Sequence, residues 1–235
     1  ATPAFPVPGF EMNTAVELPL YLLMGLVVGT VAVIYVRTLY ATEERFAALR
    51  FPEALKPVLG ALPLGVLLIW FPQVYGVGYG SMVHALEGNM DLTLMALLIG
   101  VKLVAVCLTL GSGFSGGIFA PALFLGGMTG GACGALFDLL WPGLQVPVGA
   151  FAMVGMAAMV GAATGGPLTA IIILFEMTGE YRVMLPLMLA SITATLAYRS
   201  VLRDSIFTLK FTRAGRRLEF GREGAILQQY HVDDV

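Results

Sequence analysis

The chain has 235 residues, of which 58% are hydrophobic and only 12% are charged, and its mean hydropathy is +0.86. A soluble domain carries about 25% charged residues, so this composition excludes an ordinary soluble protein and indicates a polytopic membrane protein. The formal net charge of −2 argues against nucleic acid as a partner. The two cysteines, Cys107 and Cys133, lie in apolar runs and imply no disulfide framework.

Uncharged runs predict the order of the helices. Residues 1–16, rich in proline and alanine, are predicted to form an external loop. Residues 18–36 are free of charge and come close to the ~20 residues that span a bilayer. The charged stretch from Arg37 to Lys56 is predicted to be a polar connection on the cytoplasmic side, because it is rich in basic residues. Further helices are predicted near residues 54–71, 78–88, 92–110, 118–138, 149–162, 168–178 and 183–198.

Glycine and proline interrupt these apolar runs, most clearly at residues 111–117 and 164–167. Several of the predicted helices are therefore shorter than a full span. Irregular backbone at membrane depth is tolerated only inside protein or beside a wet cavity. Short, interrupted helices are also the sequence signal for a substrate site near the middle of the membrane.

Residues 111–121 read Gly-Ser-Gly-Phe-Ser-Gly-Gly-Ile-Phe-Ala-Pro. A helix that begins after Gly117 directs free N–H groups and the positive end of its dipole at the glycine loop. Glycine allows a ligand to approach the backbone closely, and Pro121 in the first turn loses little by lacking an N–H group. The stretch therefore predicts an anion site at the start of this helix.

Residues 111–121 resemble the second anion-binding loop of the CLC chloride channels and chloride/proton antiporters. Residues 155–170 and 171–178, the latter ending in Phe-Glu-Met-Thr, are similar to the paired helices that follow this loop in the family. The resemblance covers about residues 15–217, all in the C-terminal half of the family's membrane domain. It implies an all-α polytopic fold of about nine helical segments, the second of two inverted repeats, with broken and tilted helices.

The resemblance also implies which residues bind the ion. Ile118 and Phe119 would offer backbone N–H groups to a partly dehydrated chloride ion, while Gly116 and Gly117 keep the approach open. The family commonly has a tyrosine on its last membrane helix whose hydroxyl holds the ion from the inside, and Phe207 stands at that position here.

A phenyl ring at position 207 has no O–H donor. Either the inner site is weaker than in relatives, or Ser205 or Thr208 replaces the hydroxyl, or the alignment is shifted by one residue. All three possibilities stay open on the sequence.

The implied function is that of a chloride channel or a chloride/proton antiporter, with chloride as substrate, no cofactor, no metal and no enzymatic activity. The carboxylates that distinguish the two mechanisms belong to the family's first half and lie outside this sequence. Implied partners are the lipid bilayer, the N-terminal half of the subunit and a second subunit, in a homodimer whose interface includes helices around residues 168–198. The resemblance places the protein in the cell membrane with a cytoplasmic C-terminus. Residues 218–235 would be a cytoplasmic linker, which in many relatives leads to CBS domains.

The same residues allow two other interpretations. Residues 113–117 also match Gly-x-Ser-x-Gly, so Ser115 with His84 would be the candidate pair of an intramembrane serine hydrolase, which needs a base near its nucleophile. A secondary transporter of another fold with re-entrant loops is the second alternative, since fluoride, nitrate and chloride all suit a backbone N–H site.

Two charged side chains lie in or beside the predicted spans. Lys102 is expected to add positive potential to an anion path, to pair with a carboxylate, or to extend its amine toward the membrane surface. Glu176 lies at a helix end, where capping of backbone N–H groups or pairing with Arg182 is favoured over proton transfer.

Overall fold

The structure is a computed structural model that describes residues 17–144, 146–179 and 181–213. Over these ranges the chain is helical, without a β-strand. Five of the helical segments are long and apolar enough to cross a membrane, which agrees with the predicted all-α polytopic class. The α-helices of the described residues are α1 (Glu17–Ala48), α2 (Lys56–Trp70), α3 (Tyr79–Leu86), α4 (Leu92–Gly111), α5 (Phe119–Leu140), α6 (Val148–Thr164), α7 (Pro167–Thr178), α8 (Met184–Val201) and α9 (Leu209–Arg213).

The ends of the chain fall outside this description. The predicted external loop of residues 1–16 and the predicted linker of residues 218–235 lie outside the described residues, as does the suggested boundary with CBS domains. Residues 214–217, the last of the predicted membrane domain, lie outside them as well.

The predicted break at residues 164–167 is present, and its cause is local. Gly165 has a φ of 77°, in the left-handed region that glycine adopts without a Cβ penalty. Its N–H donates to the carbonyl oxygen of Gly161 at 3.0 Å, which closes α6. Pro167 then opens α7 at a position where proline needs no N–H partner. The result is two short helices, of 17 and 12 residues, in place of one span.

The prediction that a polar connection begins at Arg37 was wrong, because α1 continues to Ala48. Arg37 is exposed, whereas Leu39 and Tyr40 remain buried, so the apolar face of the helix runs on beneath the charges. Charge on one side of a helix does not end it when the other side still packs.

The centre of the fold is the pair α5 and α6. Every residue of α6 from Gly149 to Ala163 is buried. A Cβ atom placed on Gly126 would lie 2.6 Å from the Cβ of Met159, and one on Gly155 would lie 2.8 Å from the Cα of Gly130. Small residues therefore let the two backbones touch, as is common between helices in membranes. This contact is called the glycine seam below.

A second close contact joins α1 to α8. A Cβ atom on Gly25 would lie 2.9 Å from the carbonyl oxygen of Ala190, and one on Gly29 would lie 2.6 Å from that of Ala194. Because α6 also packs against both helices, α1, α5, α6 and α8 form one block. Because α5 belongs to this block, the start of α5 is held in place by the packed helices.

Candidate anion site

Helix α4 ends in a Schellman motif just before the glycine loop. The N–H of Phe114 donates to the carbonyl oxygen of Thr109 at 3.2 Å, and the N–H of Gly113 donates to that of Leu110 at 3.1 Å. Gly113 has a φ of 97°, a conformation that a side chain would strain. The motif turns the chain sharply, so residues 113–117 are exposed at the surface of the block.

Helix α5 begins at Phe119, one residue later than predicted. The N–H groups of Ile118, Phe119 and Ala120 have no partner within the helix, because no helical carbonyl lies four residues before them. No side chain caps this end. Pro121 falls in the first turn, where it removes a hydrogen-bond donor that the helix does not use. Three free donors and the positive end of a 22-residue helix thus face the glycine loop.

Tyr35, which no sequence pattern singles out, holds the start of α5 in place. The hydroxyl of Tyr35 on α1 donates to the carbonyl oxygen of Ile118 at 3.2 Å. Its ring is fully buried, so the bond is anchored in the block. The two residues are 83 positions apart in the sequence, and no spacing rule connects them.

The two glycines of the predicted site differ in their surroundings. A Cβ atom on Gly117 would meet nothing within 4 Å, whereas one on Gly116 would lie 2.9 Å from a methyl group of Leu110. Open space beside Gly117 is compatible with a ligand at the backbone. At Gly116 the small residue is also needed for packing.

Phe207 lies close to the start of α5, although 88 positions separate it from Phe119 in the sequence. Its side chain is 53% exposed and lines a cavity of about 270 Å³ together with Ile118. The neighbouring Ile206 holds the segment in place: its N–H donates to the carbonyl oxygen of Ala163 at 2.9 Å, and its own carbonyl accepts from the Tyr40 hydroxyl at 2.6 Å. The structure therefore brings Ile118 and Phe207 to one cavity.

Ser205 and Thr208, the two suggested substitutes for a tyrosine hydroxyl, are occupied with each other. The Thr208 hydroxyl accepts from the N–H of Ser205 at 2.8 Å, and the two hydroxyl oxygens are 3.2 Å apart. Both line a different cavity, of about 530 Å³, with Arg199 and Arg203. Neither side chain lines the cavity that Ile118 and Phe207 share.

A further cavity, of about 310 Å³, lies on the Gly116 and Gly117 side of the loop. Lys102 contributes to its wall and is only 3% exposed. Its amine donates to backbone carbonyls of the turn between α2 and α3. Of the three expectations for Lys102, pairing with a carboxylate and extension to the membrane surface are therefore not what this structure shows.

The serine hydrolase reading gains no support from the structure. Ser115 is exposed on the loop, and among the described residues it makes no hydrogen bond to His84. The imidazole of His84 lies instead 3.7 Å from the carboxylate of Glu87, the residue that follows its helix, at an exposed position. Within the same part of the chain, no three His, Cys, Asp or Glu side chains form a group that could hold a metal ion. Glu176 is exposed near the end of α7.

Fold and site together define a polytopic all-α membrane protein in which a broken helix begins, without a side-chain cap, at the wall of a cavity. The family model described as voltage gated chloride channel matches residues 1–199. Because this match covers most of the sequence, the chain belongs to the voltage gated chloride channel family, the CLC family. The resemblance stated from the loop residues is thus confirmed, and a transporter of another fold is not favoured.

Individual relatives agree with the family model. The ClcB-like protein of Ralstonia nicotianae is 35% identical over 210 residues, which cover 89% of this chain and 49% of that protein. The H(+)/Cl(−) exchange transporter ClcA of Vibrio campbellii is 33% identical over 195 residues, covering 81% of this chain and 42% of ClcA. A crystal structure of a slow cyanobacterial Cl−/H+ antiporter superposes with a TM-score of 0.79 at 26% identity, over 90% of this chain and 50% of that one. The chain therefore spans half or less of the length of each of these relatives.

Proposed function

We propose that this chain forms one half of an anion pathway that moves chloride, or a similar small anion, across a membrane as a channel or as a proton-coupled antiporter. The observation that carries the proposal is the start of α5, where the free N–H groups of Ile118 and Phe119 face the loop that contains Gly116 and Gly117. The names of the relatives support chloride as the substrate. The proposed mechanism involves no covalent chemistry and needs no cofactor.

The physical basis is replacement of water around the ion. Backbone N–H groups and the helix dipole stabilise an anion that has shed part of its hydration shell. They carry no full positive charge, so binding stays weak enough for release, as conduction requires. Phe207 lines a cavity together with Ile118 and offers a phenyl ring there, where the family resemblance implies a tyrosine hydroxyl.

The second half of the pathway would come from residues that this chain does not contain. The loop residues 113–117 are exposed, as are the side chains of Phe114 and Phe207. An exposed anion loop next to exposed aromatic rings is compatible with a surface that another part of the subunit covers. We therefore expect no anion flux through the isolated 235 residues, and a measured flux would contradict this expectation.

A homodimer is proposed on the exposed faces of α7 and α8. Large apolar side chains recur there every three or four residues, so they form a stripe on one side of each helix. The stripe consists of Leu168, Ile172, Leu185, Met188, Ile192 and Leu196. Single cysteines at these positions should cross-link between two copies of the complete subunit, whereas a cysteine at the exposed Leu62 of α2 should not. Absence of cross-linking along the whole stripe would contradict the dimer.

We also propose a cytoplasmic C-terminus and a location in the cell membrane. Lys210 of α9 lies 3.5 Å from Glu43 near the end of α1, so the two basic regions predicted to be cytoplasmic lie at the same end of the block. Basic residues are enriched on the cytoplasmic side of membrane proteins. A cysteine at Lys210 should react with an impermeant reagent only from the cytoplasmic face.

The central experiment uses liposomes that contain the complete protein to which this chain belongs, with anion efflux and pH recorded together. Chloride movement that drives protons uphill would identify an antiporter, and chloride movement without proton coupling would identify a channel. If chloride, fluoride and nitrate all fail to move, the proposed function is wrong.

A further inference from the structure

Lys102 is a buried cation whose hydrogen bonds all go to backbone carbonyl groups. Its Nζ donates to the carbonyl oxygen of Gly76 at 2.8 Å and to that of Val74 at 2.9 Å. A third carbonyl oxygen, from Val77, lies at 3.5 Å. Among the described residues no carboxylate forms an ion pair with this amine. The charge is therefore not cancelled by a nearby negative one.

The hydrogen-bond acceptors around the amine suit its charged form. An ammonium group has three N–H donors and accepts no hydrogen bond, which suits three carbonyl oxygens, whereas a neutral amine would turn a lone pair toward one of them. The ring of Phe124 on α5 lies with its centroid 4.9 Å from Nζ, in the range of a cation–π contact. Every N–H group of Lys102 is thus occupied.

The same side chain borders the proposed anion path. Lys102, Gly116 and Gly117 line one cavity of about 310 Å³, and the other lining residues are mainly apolar. The occupied N–H groups leave no donor with which Lys102 would contact an ion directly. Only its electric field reaches the cavity, and apolar walls screen a field much less than water does.

We infer that Lys102 is a fixed positive charge that raises the occupancy of the cavity beside Gly116 and Gly117 by a small anion without binding that anion itself. The inference rests on the proposed function. The three carbonyl groups and the Phe124 ring hold the charge in place, so no side chain has to reorganise when an ion arrives. Lys102 is on this account a positioning residue for the ion and not one of its ligands.

The test compares a neutral and a charged replacement in the complete protein, in liposomes, with chloride as the probe. Lys102→Gln keeps N–H donors for the carbonyl oxygens but removes the charge, and Lys102→Arg keeps the charge. For Lys102→Gln we expect the chloride concentration at half-maximal flux to rise roughly tenfold, the order for a unit charge about 10 Å away at an effective dielectric constant of about 20. Flux at saturating chloride should stay near that of the unmodified protein. Lys102→Arg should keep the half-maximal concentration within about twofold of the unmodified value.

Three results would overturn the inference. An unchanged half-maximal concentration in Lys102→Gln would show that the charge does not act on the anion. An equal loss in Lys102→Arg and Lys102→Gln, together with a lower unfolding temperature in both, would show that the lysine only clamps the turn between α2 and α3. A fall in maximal flux at unchanged half-maximal concentration would also contradict it. If the unmodified protein moves no anion, the proposed function fails instead.

If Lys102→Gln does not fold, a second pair of variants tests whether a charge in this cavity acts on the anion. Thr109 lies on the same helix and lines the same cavity. Thr109→Asp adds a negative charge there and leaves the bonds of Lys102 untouched, and Thr109→Asn is its neutral control. Thr109→Asp should raise the half-maximal chloride concentration well above that of Thr109→Asn. Equal values for the two variants would show that charge in this cavity does not reach the ion, and the inference would be wrong.

Discussion

The glycine seam and helix α2 are both strongly apolar, yet they are buried to very different degrees. Every residue of α6 from Gly149 to Ala163 is buried, whereas Gly60 is the only buried residue of α2. Side chains at the end of α2 are among the most exposed in the described part of the chain, with Ile69 at 80% and Trp70 at 76%. Composition does not explain this difference, because both segments are uncharged over most of their length.

The difference lies in the partners that each region needs. The glycine seam is packed entirely by residues of this chain, so α5 and α6 form a complete core there. Helix α2 and the exposed loop of residues 113–117 face outward, where lipid or further protein must cover them. The candidate anion site lies between the packed core and the exposed surface. Its N–H donors belong to α5, and its open side is the exposed loop of residues 113–117.

The largest effect is expected from overfilling the seam. Gly126→Leu places a side chain where a Cβ atom already lies 2.6 Å from the Cβ of Met159. We expect a loss of stability of about 3 kcal/mol or more, since overpacked cores cannot relax without moving backbone. The unfolding temperature and size-exclusion profile in detergent would measure it. Gly100→Leu is the matched control, because a Cβ on Gly100 meets nothing within 4 Å and the variant should fold normally.

The next largest effect is expected from removing one N–H donor at the start of α5. Replacing the backbone amide of Phe119 by an ester removes one N–H group and keeps the side chain. The half-maximal chloride concentration of the complete protein should rise roughly 10- to 100-fold, since a hydrogen bond to a charged group contributes about 1.5–3 kcal/mol. The same replacement at Leu136, whose N–H lies inside α5, should leave that concentration unchanged. A normal value for the Phe119 ester would exclude this N–H as a ligand.

A smaller effect is expected from replacing Phe207 by tyrosine, the residue that the family resemblance implies at this position. Phe207→Tyr adds a hydroxyl to the cavity that Ile118 shares. One additional neutral donor contributes about 0.5–1.5 kcal/mol, so the half-maximal chloride concentration should fall roughly 2- to 10-fold. Phe207→Leu is the control and should not lower it. If both variants behave alike, the assignment of position 207 to the inner site is wrong.

The smallest effect is expected from a substitution at the exposed Gly117 of the loop, measured as a change in stability. A Cβ atom on Gly117 meets nothing within 4 Å, and its φ is not in the left-handed region. Gly117→Ala should therefore change stability by no more than about 0.5 kcal/mol, as exposed substitutions do. Thermal unfolding in detergent measures this change. Strong destabilisation by Gly117→Ala would show that the loop is packed as tightly as the seam and would remove the contrast between the two regions.

The sequence predicted most of the helices because local chemistry decides where they break. Glycine and proline at residues 111–117 and 164–167 interrupt the apolar runs, and at these two breaks the observed helices end within a few residues of the predicted positions. The same reasoning fails after Arg37, where exposed charges predict a connection although the buried face of α1 continues beneath them. Local composition does not reveal which side of a helix is packed.

The site was less predictable than the fold, because its contacts join distant parts of the chain. The pattern of residues 111–121 predicts an anion site at the start of α5, whereas the assignment of residues 116–119 and of Phe207 to that site comes from the family resemblance. The bond from Tyr35 to Ile118 spans 83 positions. The carbonyl groups that hold Lys102 lie 25 to 28 positions away and carry no side-chain signal at all. A backbone acceptor can belong to any residue type, so the sequence does not mark it.

The glycine seam has a mechanical consequence for the anion site. Packed side chains can switch between rotamers and so allow one helix to slide past another, but two backbones in direct contact have no rotamers to exchange. Helix α5 is for this reason fixed relative to α6, and so are the N–H groups at its start. Any opening or closing of the proposed path must then come from the elements around α5, such as the segment that carries Phe207 or the exposed α2.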